Sequence, residues 1–146
     1  FARFIGGGLL DRGHLTIRQR EIVIHRVAAR CKSHYEWGVH VAFFADRAGF
    51  DDRQLQSLAH GAAADSCWSA NEALLLRFCD SLHETCDIGD SLWGELSAAF
   101  ADEALLELIL LAGFYRTTSY LTNALRLPLE SYASSIPPAH DARRAK

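Results

Sequence analysis

No proline occurs before residue 128; Pro128, Pro137 and Pro138 are the only three in 146 residues. Proline breaks helix interiors by removing a donor and clashing one turn back. A chain that lacks it for so long is free to build helix after helix. Residue choice agrees, with 22 Ala and 20 Leu against 4 Val, 7 Ile and 5 Thr, because β-branched side chains lose more freedom in a helix. Helix starts recur as a Thr, Ser or Asp followed three residues later by Gln or Glu: Thr16 with Gln19, Ser33 with Glu36, Asp51 with Gln54, Ser69 with Glu72. This is the capping-box spacing, in which two side chains satisfy each other's orphan backbone N–H groups. Gly13, Gly49, Gly61 and Gly89 mark stops or turns. The pattern predicts helices over 16–31, 33–48, 51–60, 70–84, 90–100 and 102–125, with a short helix ahead of Gly6. The fold class is therefore all-α. One helical domain is expected over 1–130, and 131–146, with Ser134, Ser135, Pro137, Pro138 and a basic end, reads as a mobile tail.

Several function classes are disfavoured early. The net charge is −3, and no basic face stands out, so a phosphate backbone is a poor partner. No apolar run is long enough for a membrane span, since the greasiest stretch, 104–114, contains Glu107. The chain opens at Phe1, with no signal-peptide layout, and a cytoplasmic location is expected. Cys31, Cys67, Cys79 and Cys86 form no CxxC pair and lie in apolar or helix-like segments, as reduced thiols would.

Three helices carry polar groups in informative places. Along 16–31, Ile17, Glu21, Ile24, Ala28 and Cys31 share one stripe, with Glu21 near its middle. Burial should raise the pKa of such a carboxyl, suiting it to proton transfer near neutral pH. The competing reading is an ion pair across the core to Arg26 or Arg47. Along 33–48, Glu36, His40, Phe43 and Arg47 share a face, while Tyr35, Trp37, Val39, Val41, Ala42, Phe44 and Ala45 fill the rest. On periodicity alone the polar strip is either a solvated face or a pocket wall. Glu36 also completes the capping box of Ser33, which competes with chemistry. Along 102–125 the face Leu105, Ile109, Ala112 continues as Arg116, Ser119 and Asn123, so the helix either emerges into solvent or lines a cavity.

Other chemistry finds little foothold. Cys31, His34 and His40 lack the paired spacing of zinc sites, so no metal is expected. Gly6 to Gly8 lack the Lys-Ser/Thr of a phosphate loop, and no GxSxG elbow exists.

The stretch from Leu15 to His40, with Glu21, Ser33, Glu36 and His40 in order, resembles the carboxymuconolactone decarboxylase family, also called the alkylhydroperoxidase D-like superfamily. The likeness continues through Ala48, Gly49 and Phe50, through Leu92 and Trp93, and through Gly113 to Arg116, covering about residues 9–130. It implies an all-α bundle of six to seven helices, with the two motif helices packed together inside a homo-oligomer, a trimer or a hexamer. Redox members carry a Glu, then Cys-x-x-Cys-x-x-x-His. Here the Glu falls on Glu21, the His on His40 and the two Cys positions on Ser33 and Glu36, so both sulfurs are missing. Cys31 has no resolving thiol three residues on, which disfavours an alkylhydroperoxidase (peroxiredoxin) reaction.

Decarboxylating members imply acid–base chemistry without metal or organic cofactor. The expectation is a lyase acting on a small organic acid, lactone, keto acid or related carbonyl compound, with Glu21, Glu36 and His40 catalytic. Arg116 would bind a substrate carboxylate, with Tyr115 and Asn123 as lesser pocket residues. The alternative is a non-catalytic small-ligand-binding scaffold, which has less need of a costly buried Glu21.

Overall fold

A computed structural model describes residues 13–139. The short helix expected before Gly6 and the last part of the tail lie outside these residues. Six helices follow one another: α1 (Ile17–Arg30), α2 (His34–Ala48), α3 (Asp52–His60), α4 (Ala70–Thr85), α5 (Asp90–Ala99) and α6 (Asp102–Ala124). No strand occurs among the described residues, and no helix there is long and apolar enough to cross a membrane.

The start signals act as their chemistry requires. Thr16, Asp51 and Ser69 each accept from the backbone N–H three residues on, and Gln19, Gln54 and Glu72 reach back to complete full boxes. Ser33 makes only the forward half: its hydroxyl accepts from Glu36 N, and the Glu36 carboxyl does not return the bond. The Ser33 hydroxyl is instead shared with Thr122 Oγ1 of α6, 2.9 Å away. Gly49 closes α2 in the left-handed region at φ 70°, a conformation that glycine adopts without a Cβ clash.

Helix α1 is the central rod. It packs against α2, α3, α4 and α6, and Glu21 through Ala28 are buried without a break, so its buried surface is wider than the predicted stripe. The turn at Cys31 and Lys32 folds α2 back along α1, with Lys32 at φ 53° and Ser33 N bonded to Ala28 O. An antiparallel pair folded at this point sets Glu21 and His40, on either side of the turn, against each other.

One expectation is corrected. On α6 the buried stripe runs Leu105, Leu108, Leu111, Ala112, Tyr115, Ser119 and Thr122. Ile109 and Asn123, expected on that face, are exposed. The packed partners lie on one side only, so the stripe follows Leu108 and Tyr115 rather than Ile109 and Arg116. The predicted tail, 131–146, is described as far as residue 139. Residues 131–139 form no helix, yet they lie across α2. Tyr35 donates to Glu130, Ile136 N donates to His34 Nδ1, Phe43 meets Tyr132 edge to face, and Ile136 packs on the core. The crossing falls at Gly38, where a Cβ would sit 2.6 Å from Ser134 O and 2.8 Å from Ala133 Cβ. The proline-rich composition signals non-helical chain, and 131–139 are non-helical.

Candidate active site

Glu21 and His40 meet in the seam between α1 and α2. His40 Nδ1 lies 3.0 Å from Glu21 Oε2, and their relative exposures are 7% and 3%. Neither arginine considered from sequence takes Glu21. Arg26 pairs with Asp80, and Arg47 lies over the Phe44 ring at an exposed position. The second partner is His25, one turn along α1 and 0% exposed. Its Nδ1 is 3.3 Å from Glu21 Oε2 and 2.8 Å from the Glu21 carbonyl. One carboxylate oxygen therefore serves two imidazoles. His25 was missed from sequence, although a His four residues after Glu21 on a helix is the spacing at which side chains meet.

The protonation pattern departs from expectation. Burial by itself would raise the Glu21 pKa, but hydrogen bonds from His25 and His40 and their charges outweigh it, and the carboxyl ends below its ordinary value. An ionised carboxylate only accepts, so Nδ1 carries the hydrogen on both rings. For His40 this leaves Nε2 as the basic nitrogen. Glu36, one turn before His40 and 8% exposed, goes the other way. Burial raises its pKa, and the His40 charge offsets only part of the rise. Two carboxyls whose environments push them apart beside one imidazole form an acid–base set.

Aromatic rings enclose His40. Phe44 stacks on it at 5.2 Å and 27°, and Tyr115 of α6 meets it edge to face at 5.0 Å. Burial and the nearby charges of Glu21 and Glu36 push the Tyr115 phenol well up, so it stays a neutral hydroxyl. His25 meets Trp37 and Phe50 edge to face, and its buried Nε2 has no hydrogen-bond partner. The predicted strip on α2 thus divides: Glu36 and His40 turn inward, while Phe43 (55% exposed) and Arg47 face out.

Of the six residues singled out from sequence, Glu21, Glu36, His40 and Tyr115 come together and two lie apart. Asn123 is exposed and donates to the Cys31 carbonyl at 2.9 Å, closing the end of α1. Arg116 lines a different cleft, whose walls include none of Glu21, Glu36 and His40. Tyr115 and Arg116 diverge because neighbours on a helix point about 100° apart. Cys31, His34 and His40 do not converge either: they touch Asn123 through the Cys31 carbonyl, Ile136 and Glu21, respectively.

A search of the curated proteins found no match. The sequence model of the carboxymuconolactone decarboxylase family matches residues 1–77, which include α1, α2 and all of Glu21, His25, Glu36 and His40. That match spans more than half of the 146 residues; the chain belongs to the carboxymuconolactone decarboxylase family.

Proposed function

We propose that this family member is an acid–base enzyme, a lyase that needs no cofactor and acts on a small lactone, keto acid or related carbonyl compound. The observation that carries the reading is the buried carboxylate–imidazole pair, Glu21 Oε2 to His40 Nδ1 at 3.0 Å, with the protonated-leaning Glu36 one turn away. In such a pair the carboxylate fixes the imidazole tautomer and stabilises the imidazolium once Nε2 has taken a proton.

A lactone or keto carbonyl accepts an electron pair as a neighbouring C–C or C–H bond breaks. Where the bond is C–H, His40 Nε2 takes the proton and Glu21 stabilises the charge. Where it is C–C to a carboxylate, carbon dioxide leaves with no proton to remove, and the electron pair passes to the carbonyl oxygen. In either case Glu36, whose burial favours the protonated form, is the hydrogen-bond donor to the developing enolate oxygen. Where a C–H bond broke, the His40 imidazolium returns its proton to carbon; after loss of carbon dioxide, the proton that Glu36 shared with the enolate oxygen passes to carbon, and Glu36 regains one from solvent. Tyr115 and Phe44 hold the imidazole in place and keep bulk water off it.

A thiol-peroxidase route has less support. Ser33 stands at one redox position, fully buried and bonded to Thr122. Burial raises the Cys31 thiol in spite of the Arg116 charge, so little thiolate forms.

The reading also has the chain working as a homo-oligomer. Leu106, Leu110, Tyr120 and Leu121 stand exposed along α6, with Leu125 at its C-cap, an apolar surface of the kind that subunit contacts cover. Light scattering should give more than one chain per particle, and a stable monomer would contradict it.

The deciding experiment screens small lactones and keto acids with the wild-type chain and then with His40→Gln. Turnover should fall by about 10²–10⁴-fold, the usual worth of one positioned acid–base group, while helicity by circular dichroism stays unchanged. Full activity in the folded variant defeats the mechanism. A wild type that turns over no compound of either class, yet binds one, supports the scaffold reading instead.

A further inference from the structure

Arg116 is the residue from the sequence reading that the catalytic set does not absorb. It stands half-buried at a cleft of about 220 Å³ between α1, α4 and α6. Val27, Leu82, Ile109 and Ala112 give the walls their apolar character, together with the thiols of Cys31, Cys79 and Cys86. A cavity of about 150 Å³ takes up benzene, so this space is large enough for a monocyclic acid. At Gly113 the wall is open: a Cβ there would meet nothing within 4 Å.

The charge of the cleft is one-sided. Arg116 Nε donates to Tyr120 Oη at 2.6 Å, and Nη1 faces His83 Nδ1 at 3.5 Å. No carboxylate among the described residues pairs with it, whereas Arg18, Arg20, Arg26, Arg30 and Arg77 each have one. The titratable groups around it do not supply a counter-charge. Burial, then the Arg30 and Arg116 charges, push His83 down toward its neutral form. Burial pushes the Cys31 and Cys79 thiols up. Asp80 and Glu84, the acids near His83, are taken by Arg26 and Arg30. An apolar hollow is thus rimmed by a guanidinium whose Nη2 has no hydrogen-bond partner among the described residues.

We propose that this cleft is a second binding site, for a small monocarboxylate with a compact apolar body, whose carboxylate meets Arg116 and whose body lies against Cys79, Leu82 and Ala112. The site shares no wall residue with Glu21, Glu36 or His40, so it stands or falls apart from the catalytic reading. A guanidinium presents a two-pronged donor that fits a carboxylate. A dianion would leave a second charge against apolar walls, which selects for a single carboxylate.

The test uses benzoate and the full chain. Titration followed by amide NMR should show saturable binding below about 10 mM, with shifts centred on Leu82, His83, Ala112 and Gly113. Bound benzoate should also slow alkylation of Cys31 by N-ethylmaleimide. Arg116→Gln should weaken binding by about tenfold to a hundredfold, the worth of a charged hydrogen bond, and Arg116→Lys should recover part of it. Gly113→Leu fills the open wall with a residue that favours helix, so the chain stays folded and binding is lost. His40→Gln should leave benzoate affinity unchanged. Three results would overturn the proposal: no saturable binding, as when a second copy covers the cleft; binding indifferent to both Arg116→Gln and Gly113→Leu; or shifts that centre on His40.

Discussion

Two buried charged clusters hang from α1, little more than one turn apart, and they are built on opposite principles. Arg26 has five N–H donors and five hydrogen bonds. Nε and Nη2 grip Asp80 at 2.8 Å each, and the others reach the carbonyls of Ser57, Leu58 and Gly61 at the end of α3. Every donor is matched, and the result ties α1, α3 and α4 together. The Glu21 cluster leaves its groups unevenly matched. One carboxylate oxygen is divided between two histidines, His25 Nε2 is buried without a partner, and Glu36 is held away from its charged form. A cluster that serves stability satisfies its members, whereas one that serves proton transfer leaves some of them poised.

The sharpest way to break this contrast is to remove Arg26. Arg26→Ala leaves Asp80 with Arg30 alone, 3.4 Å away, and takes a donor from three carbonyls at the end of α3; breaking a buried pair of this kind costs about 3–5 kcal/mol. Asp80 is partly exposed, so the lower end is expected, measured by urea unfolding. A loss under about 1 kcal/mol would show that the network is not what holds α3 and α4 to α1.

Glu21→Gln should cost less at neutral pH, about 1–3 kcal/mol, because the amide keeps an acceptor for one histidine. Its larger signature is in acid. The folded Glu21 pKa lies below its ordinary value of 4.5, so the native carboxyl contributes stability above that value. The contribution is lost as pH falls through the lowered pKa. Unfolding curves below pH 4.5 should therefore be flatter in the variant than in wild type, and parallel curves would mean that the two histidines do not hold the carboxylate.

How much of this was legible depends on how far each cause reaches along the chain. Helix starts and stops were, because a cap is settled within a few residues: Thr16 and Gln19, or Asp51 and Gln54, need no knowledge of the rest. The Glu21–His40 pair was visible only through the family likeness, since the partner lies beyond a turn. The sign of the Glu21 shift was misjudged for the same reason: burial is readable from a helical stripe, but a second histidine pointing at the same oxygen is not. The crossing of 131–139 over Gly38 left one faint trace, a glycine inside an otherwise bulky helix. Periodicity is sufficient in principle to separate Tyr115 from Arg116; Leu105, Ala112 and Ser119 are buried as expected, while Ile109, Arg116 and Asn123 each lie one position past the buried Leu108, Tyr115 and Thr122.

Glu36 gives the smallest effect and the most pointed one. Its folded pKa is raised, so its uncharged form suits the fold, and the cost appears as pH rises from its ordinary 4.5 through the folded value. Wild type should lose stability over that window, the reverse of the Glu21 window. Glu36→Gln has no charge to bury, so it should be as stable as wild type in acid and more stable by about 1 kcal/mol near neutral pH. Because Ser33 caps α2 without help from the Glu36 carboxyl, the substitution removes no cap. Thermal melts from pH 4 to 8, read beside turnover, would expose the trade: a more stable protein with a slower reaction. A variant that is less stable at every pH would return Glu36 to the structural side of the comparison, next to Arg26.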